Sequence, residues 1–175
     1  MPFTLPASSG PESTSVDMTG RTNYDITGID SKAKRITLTY KNITGQAGGD
    51  ATQSQMLRLG TSGGIQTTGY SSWVTAQFIS QIAAGAGWMV NVYSGPGTTL
   101  VAENTGIIII QPFDAANNIW LFNATHAPVQ ASGGPTCQGA GIVTLTDVLT
   151  TIRLTWQNTP TNVYGGGTLN WVVET

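Results

Sequence analysis

One pentapeptide in the chain has the spacing of a catalytic nucleophile. Gly-Thr-Ser-Gly-Gly at residues 60–64 fits the Gly-x-Ser-x-Gly pattern, in which a serine sits on a sharp turn between a strand and a helix. Asp114 and the only histidine, His126, follow Ser62 in the Ser, Asp, His order that α/β-hydrolases use. The residues after Ser62 are rich in glycine and β-branched side chains, which form helices poorly. We therefore expect a structural strand–turn–strand at this pentapeptide and no enzymatic activity.

Other catalytic and metal-binding patterns are weaker. The nine carboxylates are spread along the chain without a recognisable glycosidase pair, so we expect no depolymerase activity. One histidine and no dense acidic loop give no ligand set for a metal, and we predict no metal and no cofactor. Cys137 is the only cysteine, which excludes an intrachain disulfide framework. We interpret it as a packed or exposed free thiol.

Aromatic residues beside glycine-rich turns are the candidate contacts. Tyr70 and Trp73 follow the glycine turn, and Tyr164 precedes three glycines. Their flat rings with a polar edge suit a sugar or a neighbouring subunit, and binding residues concentrate on loops. We predict that Tyr70, Trp73 and Tyr164 contact a ligand or a subunit, with both alternatives open. The glycines of the turn, Gly60, Gly63 and Gly64, are predicted to supply positive φ angles or close backbone approach.

Charged residues are scarce. They make up 9% of the chain, against about 25% in an average soluble protein. Neutral polar residues and glycine replace them, which is typical of β-rich proteins whose surfaces face other subunits or sugars. The net charge is −2, and Lys32, Lys34 and Arg35 form the only basic cluster. Because nucleic-acid affinity depends on neutralising phosphates, we expect no nucleic-acid partner.

The N-terminal residues predict an arm rather than a targeting segment. They lack a positive region followed by an apolar core, so we expect no signal peptide. Four isoleucines at 107–110 are the longest purely aliphatic run, too short for membrane insertion. Prolines recur through residues 1–22 and indicate an extended arm that is disordered or lies along a neighbouring subunit. A single domain is predicted over residues 23–175.

Short alternating segments recur through that domain. In residues 35–40, Ile36, Leu38 and Tyr40 alternate with polar residues, the signature of a half-buried strand. Residues 73–86 could form a short helix but are interpreted as strand or loop. Residues 107–111 and 119–124 are apolar on both faces, and 127–141 are predicted as a long loop. Both apolar segments indicate burial between layers or a subunit contact.

Counted together, the segments amount to about nine or ten strands with glycine and proline turns. The fold class predicted is all-β, an antiparallel β-sandwich of jelly-roll-like type.

Three segments together resemble a β-sandwich module of tailed-bacteriophage virion proteins. They read Asp-Ile-Thr-Gly-Ile at 25–29, Ala-Lys-Arg-Ile-Thr-Leu at 33–38, and Leu-Arg-Leu-Gly-Thr-Ser-Gly-Gly-Ile-Gln-Thr-Thr-Gly-Tyr at 57–70. The segments at 149–154 and 167–174 are similar to the last two strands of the module, so the resemblance covers most of residues 24–175. Members of the group often carry an acidic residue where Gln66 stands, and the loop at 127–141 has no counterpart.

The resemblance implies a structural role on the phage particle. The chain is then a capsid decoration protein, of cement or knob type, or a short tail-fibre head located in the virion. It would form a homo-oligomer, with a trimer favoured, and attach to other virion proteins. The alternative is a receptor-binding fibre head that recognises host-surface polysaccharide.

Overall fold

The computed structural model of the chain describes residues 14–45, 55–76, 79–90, 104–128, 136–157 and 162–175. Over these ranges the chain forms thirteen strands and one turn of 3-10 helix, Ala115–Asn117. In chain order the strands are β1 Thr14–Asp17, β2 Asn23–Thr27, β3 Arg35–Gly45, β4 Gln55–Thr61, β5 Gly64–Ile65, β6 Tyr70–Ala76, β7 Ile79–Gly85, β8 Trp88–Met89, β9 Asn104–Asp114, β10 Ile119–Pro128, β11 Cys137–Thr144, β12 Thr151–Trp156 and β13 Tyr164–Glu174. Among the described residues, no helix has the length and hydropathy needed to span a bilayer.

The strands form two antiparallel sheets. The larger sheet has the order β1-β13-β3-β9-β10-β11-β6-β7. The smaller has the order β2-β12-β4-β5, and β8 also pairs with β4. A single cluster of buried apolar side chains, drawn from both sheets, fills the space between them. The predicted all-β antiparallel β-sandwich is confirmed.

Alternation along each strand decides which side chains enter this core. On β3, Ile36 and Leu38 are fully buried, whereas Arg35 and Thr39 are exposed. The run at 107–110 follows the same rule, although it contains no polar residues to mark the alternation. Ile108 and Ile110 are fully buried, and the isoleucines between and before them lie on the opposite face. The larger sheet therefore has an outer face that includes aliphatic side chains.

A cluster of three aromatic rings lies under β11. The rings of Trp88 and Phe122 stack with centroids 4.8 Å apart, and Tyr70 meets Trp88 edge-on at 5.6 Å. A Cβ at Gly141 would lie 2.7 Å from Trp88 Cδ1 and 2.8 Å from Phe122 Cε1. Glycine is thus required on the inner face of β11, because any side chain there would displace two large rings.

The N-terminal boundary of the domain differs from the sequence-based expectation. Thr14–Asp17 forms the edge strand β1, which pairs with β13, and Met18 is fully buried in the core. Residues 14–22 therefore belong to the sandwich and are not part of an arm. The rest of the predicted arm, residues 1–13, lies outside the described residues.

Two further segments are assigned by the structure. The ambiguous segment 73–86 contains most of β6 and all of β7, which pair as an antiparallel hairpin. At both ends of the predicted loop 127–141 the structure has strand, since β10 runs to Pro128 and β11 begins at Cys137. Residues 129–135 lie outside the described residues. Because β11 contains glycines, its amino-acid sequence is similar to that of a loop.

Candidate functional site

The segment 57–70, which contains the hydrolase-like pentapeptide, is a strand–turn–strand. Strand β4 turns directly into β5, which begins at Gly64 with a φ of +110°. A Cβ at Gly60 would lie 2.8 Å from Ile65 Cδ1, 3.2 Å from the Gly64 carbonyl oxygen and 3.3 Å from Thr151 Cβ, so the close packing there favours glycine. Gly63 has no positive φ, and its nearest neighbour would be a threonine hydroxyl 3.5 Å away. Two of the three predicted turn glycines thus have a geometric reason to be glycine.

Tyr70 holds this turn from the inside. Its hydroxyl accepts a hydrogen bond from the Leu59 backbone N–H at 2.7 Å. It donates to one of two nearby carbonyl oxygens, that of Leu59 at 3.2 Å or that of Gln66 at 3.1 Å. Burial raises the pKa of Tyr70 to about 12. With 2% of its surface exposed, Tyr70 is a structural residue, and its prediction as a ligand or subunit contact is corrected.

Tyr164 is also part of the core. It is 1% exposed, and its ring lies 4.9 Å from that of Trp156. Desolvation raises the pKa of its hydroxyl. The glycines that follow it suggested a loop, but they belong to β13, which pairs with β3. Tyr164 is therefore unavailable to a ligand or a subunit, and this prediction is corrected as well.

Ser62 is exposed at the tip of the turn and is hydrogen-bonded to a carboxylate. Its hydroxyl donates to Asp147 Oδ2 at 2.9 Å. The Val148 backbone N–H first, and then the Ser62 hydroxyl, hold the pKa of Asp147 below its usual value. A carboxylate with a lowered pKa is a poor general base at neutral pH, because it binds a proton weakly.

The residues of the hydrolase-like triad are not brought together. Asp114 pairs with Ile119 at the start of β10, whereas His126 lies near the other end of that strand. Seven residues separate Ile119 from His126, which corresponds to roughly 23 Å along a strand. The Ser62, Asp114 and His126 order in the sequence therefore has no geometric counterpart.

His126 is a buried core residue. Burial lowers its pKa to about 4, although a hydrogen bond to the Val90 backbone acts in the opposite direction. A Cβ at Gly106 would lie 2.5 Å from His126 Cβ and 2.8 Å from the Tyr40 hydroxyl, so both side chains pack over this glycine. Cys137, its cross-strand neighbour on β11, is a buried thiol that forms no disulfide. In the part of the chain that the structure describes, no three acidic, histidine or cysteine side chains form a metal-binding group.

Trp73 is the one predicted aromatic contact that lies at the surface. It is 48% exposed on the outer face of the larger sheet, between Ser72 and Val74, whose side chains are buried. Across the sheet it stands opposite Ala140 on β11, which in turn stands opposite Asn123 on β10. The small Ala140 side chain leaves a depression between the indole ring and the amide.

This depression extends along the strands in both directions. Two adjoining shallow cavities, of about 420 and 540 Å³, share Trp73, Asn123 and Ala140. The first also reaches Thr125 and Gln138, and the second reaches serine, leucine and isoleucine side chains. None of the lining residues is charged. We call the combined depression the Trp73 hollow.

A second part of the outer face is aliphatic. Ile107 is 37% exposed on β9, and Ile109 follows it on the same face. Val172 on β13 extends this surface across β3. We call these three residues the aliphatic patch. Charged residues flank it at one margin, where Arg35 and Glu174 form an exposed ion pair at 3.8 Å.

The sequence identified only part of this surface. The alternation along residues 119–124 offered no reason to connect Asn123 with Trp73, although both stand opposite Ala140 in the sheet. Gln138 and Ala140 fell in the predicted loop 127–141. The strands that bring these residues together are distant in sequence, and local periodicity carries no information on their pairing.

Comparison with protein-family models, with curated proteins and with solved structures finds no match for this chain. The resemblance to bacteriophage virion modules therefore depends on the sequence segments quoted above.

Proposed function

We propose that the chain is a non-enzymatic structural protein on the surface of a tailed-bacteriophage particle. In this role it forms a homo-oligomer and attaches to other virion proteins, as a capsid decoration protein or a short tail-fibre head. The segments at 25–29, 33–38 and 57–70 support the assignment to this class of protein. The observation that carries the mode of action is the aliphatic patch on the outer sheet face.

An open antiparallel sheet face normally alternates polar residues toward water. Here Ile107 is 37% exposed and lies beside Ile109 and close to Val172. Threonines separate these side chains, and such a neutral, partly apolar surface can be covered without burying unpaired charge. Exposed aliphatic side chains grouped on one sheet face are typical of a protein–protein contact. A second copy of the chain is the proposed occupant, with a trimer favoured by analogy with phage assemblies.

Ile107→Lys tests the assembly. The substitution places a charge on the most exposed isoleucine of the patch, where burial against another copy would strip its water. Size-exclusion chromatography with light scattering is expected to give an oligomer for the wild type and a monomer for Ile107→Lys. Thr27→Lys is the matched control, because Thr27 is an exposed strand residue on the smaller sheet. A monomeric wild type that is also not retained on purified capsids or tails would refute the proposal.

A second candidate function is a receptor-binding head for host-surface polysaccharide. One observation favours it, namely that Trp73 is exposed while the other two predicted aromatic contacts are buried. Binding to intact host cells by the wild type and its loss in Trp73→Ala would support this function. Equal binding of the two proteins would remove it.

A further inference from the structure

We infer that the Trp73 hollow is a binding site for a neutral glycan. In this site the Trp73 indole stacks against the apolar face of a sugar ring, and the amides of Asn123 and Gln138 hold the hydroxyl groups. The inference deepens the second candidate function and does not require the assembly proposed above.

The indole is held in place by its strand. β6 pairs with β11 on one side and with β7 on the other, so its backbone is fixed along both edges. Ser72 and Val74, the neighbours of Trp73 in the chain, are anchored on the inner face. A rigid aromatic surface loses little conformational entropy when a ligand covers it. The exposed ring is therefore carried by a strand that is paired along both edges and not by a loop.

The polar groups around the platform suit hydroxyl groups. Asn123 and Gln138 are exposed, and neither amide forms a side-chain hydrogen bond within the described residues. Each amide offers two donors and one acceptor. Sugar hydroxyls both donate and accept, so such amides match them without a charged group. The small Ala140 side chain leaves space for a ligand between Trp73 and these amides.

The hollow favours a neutral ligand over an acidic one. No arginine, lysine or histidine lines it, so a carboxylate or phosphate would lose water without gaining a charged partner. Its length also indicates the kind of chain. From Ser71 to Thr75 the lining spans about 13 Å along β6. Because the depression is shallow and extends to both sides of Trp73, it fits an internal segment of a polysaccharide.

The site adjoins the aliphatic patch without sharing a residue with it, since Asn123 and Thr125 on β10 stand opposite Ile109 and Ile107 on β9. Three strand spacings separate β9 from β6, which corresponds to about 14 Å across the sheet. The indole is therefore distant from Ile107 and Ile109, whereas the Asn123 end of the hollow lies one strand spacing, about 5 Å, from Ile109. Assembly of several copies would multiply the number of hollows and raise the avidity for a repeating polymer.

The test uses the full chain on an array of neutral and acidic microbial polysaccharides. The wild type is expected to bind one or more neutral glycans. Trp73→Ala is expected to weaken this binding by about tenfold or more, and Trp73→Tyr to retain part of it. Asn123→Ala should weaken binding while the stacking platform stays intact. Phe113→Ala is the matched control, since Phe113 is a 67% exposed aromatic residue outside the hollow.

The outcomes separate this inference from the assembly proposal. Binding to no neutral glycan, binding to acidic glycans only, or equal binding by Trp73→Ala would overturn the glycan site. An equal loss in Phe113→Ala would overturn it too, because the effect would then not depend on the hollow. Thermal melting of each variant shows that it is folded, and light scattering on the same samples reports the oligomer. If the wild type is oligomeric but binds no glycan on the array, only the glycan site is overturned. If the wild type binds glycan but is monomeric, only the assembly is overturned.

Discussion

Adding one methyl group at Gly141 tests the packing that supports the Trp73 hollow. In Gly141→Ala the new Cβ would lie 2.6 Å from the Ser71 carbonyl oxygen and less than 3 Å from both Trp88 and Phe122. The carbonyl belongs to β6, which is hydrogen-bonded to β11. The two rings are stacked with centroids 4.8 Å apart and cannot rotate away as a flexible side chain would. At least one of these three groups must therefore move.

The cost follows from that displacement. Overpacking of a core by a methyl group destabilises by about 1–3 kcal/mol. Weakening of the Trp88–Phe122 stack adds part of the roughly 0.5–1.5 kcal/mol that such aromatic pairs contribute. Replacement of glycine lowers the entropy of the unfolded chain and offsets about 0.4–1 kcal/mol. The free energy of unfolding is thus expected to fall by about 2 kcal/mol.

Urea denaturation followed by tryptophan fluorescence measures this loss. With a denaturant dependence of about 2 kcal/mol per molar, the midpoint for Gly141→Ala should fall by about 1 M. Gly63→Ala is the matched control, because the space around Gly63 is open and its φ is not positive. Its midpoint should stay within about 0.3 M of the wild type. Equal midpoints for the two variants would show that Trp88 and Phe122 do not close over β11, and the reasoning would fail.

Two further predictions concern buried polar side chains. Because the pKa of His126 is lowered from 6.5 to about 4, the unfolded chain binds a proton before the folded protein does. The free energy of unfolding should be constant above about pH 6.5 and fall by roughly 3 kcal/mol as the pH drops to about 4. Urea denaturation midpoints measured across this range should show this fall for the wild type but not for His126→Leu. Tyr70→Phe removes the hydroxyl that bonds the backbone of Leu59 and the carbonyl oxygen of Gln66, so it should cost about 1–2 kcal/mol in the same assay. Tyr24→Phe should change little, since the partly exposed Tyr24 hydroxyl forms no hydrogen bond within the described residues, and an equal loss in both tyrosine variants would contradict the role of Tyr70.

The sandwich could be predicted from the sequence because the alternation of apolar and polar residues is visible within each single strand. Ile36, Leu38 and Tyr40 alternate with polar residues within one strand, and burial follows that alternation directly. Tyr164 shows where local evidence ends. The glycines after it suggest a loop, but pairing of β13 with β3 turns the same residues into strand and buries the tyrosine. Such pairing between distant segments leaves no trace in local periodicity.

The candidate site depends on the same distant pairing. Trp73 was predicted as a contact because it follows a glycine turn, yet its surroundings come from β10 and β11. Asn123 and Gln138 lie fifty or more residues further along the chain than Trp73. Neither residue type is unusual in a strand, so the sequence offered no signal that would connect them with the indole. Only the strand order of the larger sheet brings these side chains to one place.

The three residues Gly139, Ala140 and Gly141 join the core to the proposed site. The inner face of β11 needs glycine at 141 because Trp88 and Phe122 pack directly against it. On the outer face, Ala140 is too small to fill the space between Trp73 and Asn123. Small side chains thus bring the aromatic cluster close to the sheet on one side and create the hollow on the other. A strand that looked like a loop in the sequence is therefore the element that both the packing and the proposed glycan site require.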